Sequence, residues 1–144
     1  MTNTAEEMLE GIRTILRAFT IDSSRFPPAE GRIKYNPVDF QTLYFIDAHP
    51  GCKSTELAAF LGIAPTSAQS VCDRLIKRGF LKREASDSNK RAVALSLTGE
   101  GQSVVAAIRR QDIANCKTML EALPANSRTT FVKQITQIAQ SLSE

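Results

Sequence analysis

The apolar residues of this chain change period twice, and the order of the three regimes restricts the fold more than any other feature. Up to Gly79 they recur at helical spacing, from Phe80 to Leu97 the period changes, with Val93, Leu95 and Leu97 alternating with smaller residues, and after Thr98 helical spacing returns. Helices, then one short two-stranded stretch, then helices again describe a mainly α chain with a small β-hairpin.

The punctuation supports that division. A first helix is expected from about residue 5 to 19, where Met8, Ile12, Ile15 and Phe19 follow at spacings of four, three and four. Leu9 and Leu16 widen its apolar stripe, which predicts burial on more than one side. Residues 26–31 read as a proline-containing loop. Asn36 as N-cap, Pro37 at the first position and Asp39 near the positive end of the dipole start a second helix. Pro50-Gly51 stops it, and Ser54 is expected to cap a short third helix that Gly62 closes in the left-handed region. Pro65 opens a fourth helix and Gly79 ends it. Residues 80–84 and 92–97 read as strands joined by a polar stretch, 85–91, that predicts a basic, exposed hairpin tip. Thr98 caps a long helix that Pro124 breaks, and a last helix carries Phe131, Ile135, Ile138 and Leu142.

At 144 residues the chain fits one domain, 1–144, with enough core to need neither disulfide nor metal. Cys52, Cys72 and Cys116 are separated and form no CxxC pair, and His49 is the only histidine, so no metal site is expected. The three thiols read as free structural cysteines, and His49, beside Pro50-Gly51, as a solvated turn residue. No acid, base and nucleophile form a catalytic set, and no glycine-rich phosphate loop is present. The expectation is a protein that is not an enzyme and needs no cofactor. No apolar run approaches the about 18 residues that cross a bilayer, and the N-terminus lacks the pattern of a signal peptide. A cytoplasmic protein without membrane contact is therefore expected.

The charge is uneven. Residues 65–91 hold seven basic and three acidic side chains, a net +4, so the remainder of a chain of net charge +3 is slightly acidic. That points to a polyanion partner. On the fourth helix Ala68, Val71, Cys72, Leu75 and Ile76 share one face, which leaves Thr66, Ser67, Gln69, Ser70, Asp73, Arg74 and Lys77 on the other. Hydroxyls and an amide can read base edges, and Arg74, Lys77 and Arg78 can hold phosphates or guanine. An ordinary solvated amphipathic helix has the same periodicity. A helix pair, a reading helix and a basic hairpin in this order are more specific than any one of them.

The run from Ser54-Thr55-Glu56-Leu57-Ala58 through Asp73-Arg74-Leu75-Ile76-Lys77-Arg78-Gly79-Phe80-Leu81 to Leu97-Thr98-Gly99-Glu100-Gly101 resembles the MarR family of regulators. The motifs cover about residues 40 to 101, and the helix order extends the likeness over most of the chain. The resemblance implies a winged helix-turn-helix lobe, 37–98, flanked by dimerisation helices at 5–25 and 99–143. It implies a homodimeric repressor on double-stranded, pseudo-palindromic DNA, with residues 65–78 in the major groove and Arg91, beside Asn89 and Lys90, at the wing. It also implies relief by a small aromatic ligand, for which Phe19, Phe26, Tyr35, Phe40, Tyr44 and Met119 are the candidate pocket residues; core packing explains the same aromatics. The family's wing usually reads Asp-x-Arg, whereas this chain has Asn89-Lys90-Arg91, with Asp87 nearby as a substitute acid. Ser70 stands where many relatives carry arginine. The rival reading is a winged-helix protein–protein adaptor, which would have no reason to keep Arg74, Lys77, Arg78 and Arg91.

Overall fold

A computed structural model describes residues 3–22, 26, 36–86 and 89–143, and of residues 86 and 89–93 the backbone only. The order is α1 (Thr4–Thr20), α2 (Pro37–Ala48), α3 (Ser54–Leu61), α4 (Pro65–Lys77), β1 (Leu81–Ser86), β2 (Asn89–Leu97), α5 (Gly99–Glu121), a 3-10 turn (Ala125–Ser127) and α6 (Arg128–Ser143). The fold is thus mainly α with a two-stranded antiparallel wing, as the changes of period predict.

The helix starts follow the local chemistry. Asn36 Oδ1 accepts from the Asp39 N–H at 3.2 Å, and Pro37, which has no N–H to satisfy, takes the first turn of α2. At α3 the cap lies one residue earlier than expected. Lys53 is the N-cap, Ser54 is already helical, and the Glu56 carboxylate reaches back to accept from the Lys53 N–H at 3.1 Å. That contact satisfies the exposed end of the helix without the Ser54 hydroxyl. Gly62, at φ +67°, closes α3, and the Ile63 N–H returns to the Ala58 carbonyl at 3.1 Å, turning the chain tightly into α4.

The core lies between α2, α4, the wing and the first half of α5. Leu43, Ile46, Leu57, Leu75, Leu95 and Ile108 are its fully buried large side chains, each contributing about 1.5–3 kcal/mol through burial. Leu81 pairs with Leu97 and Arg83 with Leu95, so Leu81, Leu95 and Leu97 face the core from one side of the ribbon. The loop after α2 adds a third rung, in which Gly51 N–H donates to the Leu95 carbonyl and Leu95 N–H to the Cys52 carbonyl, both at 2.8 Å.

The wing is longer than residues 80–84 and 92–97 suggested. Ser86 pairs with Asn89, so only residues 87 and 88 separate the strands, and 89–91 belong to β2 rather than to a loop. Backbone pairing needs no apolar face, and this half of the ribbon has none for a periodicity argument to detect.

Three elements meet behind the wing. The Thr98 hydroxyl donates to the Gly79 carbonyl at 2.6 Å and accepts from the Gly101 N–H at 3.0 Å, joining the end of α4 to the start of α5. A Cβ placed on Gly101 would lie 2.1 Å from the Phe80 carbonyl oxygen, inside any tolerable contact. The glycine of the Leu-Thr-x-x-Gly run is therefore a close-approach position. Gly101→Ala is expected to destabilise the fold by about 2–3 kcal/mol through this backbone overlap, whereas Gly99→Ala, which meets nothing within 4 Å, should change it little. Urea denaturation of both variants measures the difference.

Candidate nucleic-acid interface

Helix α4 has a buried side formed by Ala68, Val71, Cys72 and Leu75, with Ile76 half-buried beside them. Thr66, Ser67, Gln69, Ser70, Arg74, Lys77 and the C-cap residue Arg78 are all exposed. The spacing divides them further. Thr66, Ser70, Asp73 and Lys77 follow at four, three and four and form the centre of the outer face. Ser67 and Arg74 flank this line on one side and Gln69 on the other. The centre is polar with little net charge, and Ser70 Oγ is tethered to the Thr66 carbonyl at 3.1 Å.

Each flank is tied to a neighbouring element. On one side Arg74 and Arg78 both meet Asp39 of α2. An Arg74 Nη2–H donates to Asp39 Oδ1, and Arg78 Nη1 stands 3.5 Å from Oδ2. The Arg78 guanidinium also lies 4.9 Å over the Phe80 ring. On the other side Asp73 accepts from Arg83 of β1, joining the reading helix to the wing. Asp39 lies in the first turn of α2, near the positive end of that helix's dipole as its position predicts, and its carboxylate is in addition buried and paired with arginines at the end of α4. Two arginines one turn apart on a flank were the available clue, since such a pair calls for a shared acid. Asn89, Lys90 and Arg91 lie on β2, and their side chains fall outside the described residues.

The described candidate aromatics border more than one hollow. Phe19 and Phe26 meet edge to face, with ring centroids 6.0 Å apart. Phe40 is a core residue at a small hollow of about 150 Å³ shared with Asp39, Arg78, Phe80 and Val104. Tyr44, one turn on, opens instead into a cleft of about 520 Å³ between α2 and α5, lined by Arg109, Asp112, Ile113, Cys116, Lys117 and Leu120. Met119 is half-buried on α5, and Tyr35 lies outside the described residues. The residues missed here are the polar ones. Tyr44 Oη donates to Asp112 Oδ2 at 2.9 Å, and burial raises the Asp112 pKa while that hydrogen bond lowers it.

Elsewhere His49 is exposed and stacks on Phe45, with centroids 4.5 Å apart. Cys52 and Cys72 are buried, but Cys116, which the sequence groups with the structural thiols, is exposed on α5. Burial pushes the Cys52 thiol up to about 11, with the Glu56 carboxylate adding to the effect. Burial raises Cys72 as well, and burial followed by the Asp112 charge raises Cys116. Among the described residues no group of three or more His, Cys, Asp or Glu could hold a metal ion, and no helix is long and apolar enough to cross a membrane.

Residues 34–92 match the family model described as MarR family. The transcriptional repressor MprA of Escherichia coli (strain K12) is 33% identical over 88 residues, which are 61% of this chain and 48% of that protein. Matches to the curated relatives span 48% to 64% of their own lengths. Among solved structures, Streptococcus pneumoniae FabT in complex with DNA superposes with a TM-score of 0.76 at 16% identity, covering 96% of this chain and 97% of that one. The Mycobacterium tuberculosis MarR family protein Rv2887 in complex with salicylic acid gives 0.65 at 20% identity, covering 95% and 97%. At these identities the superpositions establish the shared fold.

A raised pKa keeps a thiol protonated and unreactive below it. With its pKa about 11, Cys52 holds about one thiolate in a thousand at pH 8. Iodoacetamide at that pH should therefore label Cys116 first and leave Cys52 and Cys72 unmodified in the folded protein. Peptide mass mapping over time reads the order.

Proposed function

We propose, on the match of residues 34–92 to the MarR family model, that this chain is a MarR family DNA-binding transcriptional regulator. Its form is a homodimeric repressor released by a small aromatic ligand. The observation that carries the reading is the outer face of α4. Short hydroxyls and an amide, Thr66, Ser67, Gln69 and Ser70, occupy its N-terminal half in the open, and Arg74, Lys77 and Arg78 follow. Donors and acceptors of that length can meet base edges in a major groove, and the cations reach the backbone. The strand that follows brings Asn89, Lys90 and Arg91 to the wing end, where Arg91 is assigned to the adjacent minor groove. FabT, of the same fold, is known in complex with DNA.

The dimer reading rests on the terminal helices. Met8, Leu9, Ile12, Ile15 and Leu16 of α1 and Phe131, Val132, Ile135 and Ile138 of α6 are all exposed, and neither helix contributes a residue to the core. Two long apolar stripes left uncovered in a single copy suit burial against a second one. Residues 5–25 and 99–143 are thus assigned to dimerisation and 37–98 to DNA binding, within one unit, 1–144. The cleft beside Tyr44 has the volume of a small-molecule site. It lies where α5 leaves the DNA-binding lobe, so a ligand there can shift one part against the other. Rv2887, complexed with salicylic acid, gives the ligand class precedent in this fold.

Binding to duplex DNA, read by fluorescence anisotropy, should fall by orders of magnitude over a few-fold rise in salt as phosphate counterions are released. Arg91→Ala should weaken binding on all sequences, and Gln69→Ala or Ser70→Ala should change which sequences are preferred. If Arg91→Ala binds like the parent at moderate salt, the wing assignment is wrong. Half-sites should lie about 34–36 Å apart, one helical turn. Sedimentation should give two copies per particle, and Ile12→Glu combined with Ile135→Glu should reduce that to one; an unaltered mass would remove the terminal helices from the interface.

A further inference from the structure

Asp39 is the least expected charge in the molecule. It sits at the third position of α2 with a residue exposure of 3%, yet both carboxylate oxygens are engaged by α4. Arg74 and Arg78 keep about half of their side-chain surface open, 50% and 54%. Each guanidinium carries five N–H donors, of which Asp39 uses only part. With half of each side chain open on the flank of the α4 outer face, donors remain accessible to a ligand.

Two consequences follow from electrostatics. A buried carboxylate that loses its partners is costly, so neither arginine leaves Asp39 readily when a phosphate or a base approaches. The guanidinium planes are therefore set before DNA arrives, Arg78 by the carboxylate and by the Phe80 ring beneath it. Ordering these side chains in advance reduces the entropy lost on binding. The trio of Asp39, Arg74 and Arg78 also presents one net positive charge rather than two. Its attraction for any phosphate, at whatever sequence, is correspondingly lower.

We propose that Asp39 is a positioning residue for DNA recognition: through Arg74 and Arg78 it sharpens the preference for the operator and holds down binding to other DNA. The inference rests on the DNA-binding reading above. An ion pair that only steadied the fold would make a different prediction. Its loss would lower the melting temperature and leave the salt slope and the sequence preference of the folded protein unaltered.

The test compares the full-length parent with Asp39→Asn on two probes, duplexes that the parent selects from a random-sequence library and poly(dI-dC) as non-operator DNA. For Asp39→Asn the plot of log affinity against log salt should steepen by about one unit, the effect of roughly one more phosphate neutralised. Binding to poly(dI-dC) at low salt should tighten, and the ratio of selected to non-operator affinity should fall about tenfold, the weight of one well-placed arginine contact. Unchanged slope and ratio, with only a lower melting temperature, overturn the proposal. Should Asp39→Asn not fold, NMR of the DNA-free parent decides. Hindered rotation of the Arg74 and Arg78 guanidinium groups, against rapid averaging at the exposed Arg110, supports the role; rapid averaging at all three ends it. A parent protein that ignores duplex DNA at every salt concentration removes the DNA-binding reading and this role together. Normal parent binding with an indifferent Asp39→Asn removes the role alone.

Discussion

The hydroxyl of Thr98 joins parts of the chain that could otherwise move independently. It holds the Gly79 carbonyl, in the turn after α4, and the Gly101 N–H, in the first turn of the long helix α5. The Thr98 N–H also donates to the Phe80 carbonyl at 3.0 Å, which fixes the base of the wing against the same point. Because Gly101 has no side chain, the Phe80 backbone can approach it. The orientation of α4, the root of both strands and the exit direction of α5 are set within a few residues. The proposed recognition surface depends on that arrangement, since hydroxyls on α4 and cations on the wing would act together only if both emerge on one side.

The helix itself is then held laterally by charge. Asp39 secures one flank through two arginines, and Arg83 of β1 secures the other through Asp73. These ties differ in character. Asp39 is withdrawn from water, so its pairs resist opening, whereas Asp73 is well exposed and its bridge to Arg83 is screened. The α2 side of the reading helix is the stiffer one, and the wing side has more freedom to adjust.

Much of this was legible in the sequence because it is written in local chemistry. Asn36 followed by Pro37, Gly62 at a left-handed turn and Thr98 ahead of Gly101 each act within a few residues, and each sits in the structure where those residue types place it. The inward positions of α4 followed from period alone. What escaped depends on partners distant along the chain. Asp39 and Arg74 are separated by 35 residues, and Tyr44 and Asp112 by 68. Nothing at position 39 distinguishes a dipole acid from a buried counterion until α4 is packed against it. The outer wing escaped for the opposite reason, since its pairing is carried by backbone groups that every residue has. Cys116 looked structural because its helix is rich in apolar positions, but its side chain is exposed, at the open cleft it shares with Tyr44. Of the aromatic residues grouped as one pocket, Phe40 borders the hollow beside Asp39 and Tyr44 the cleft beside Asp112.

Helix α5 is a rod of 23 residues, about 34 Å from end to end at 1.5 Å per residue. Its first turns are built into the winged-helix lobe through Val105 and Ile108. Its far end is joined to α6, where Arg128 Nε donates to the Leu120 and Leu123 carbonyls at 2.9 and 3.2 Å. Such a rod acts as a lever arm. A tilt of about 10° at the α6 end carries the opposite tip some 6 Å sideways, given that length, comparable to the width of a minor groove. On the dimeric DNA-binding reading proposed above, leverage of that size would let a change too small to disturb any single contact decide whether two distant surfaces fall in step with the helical repeat.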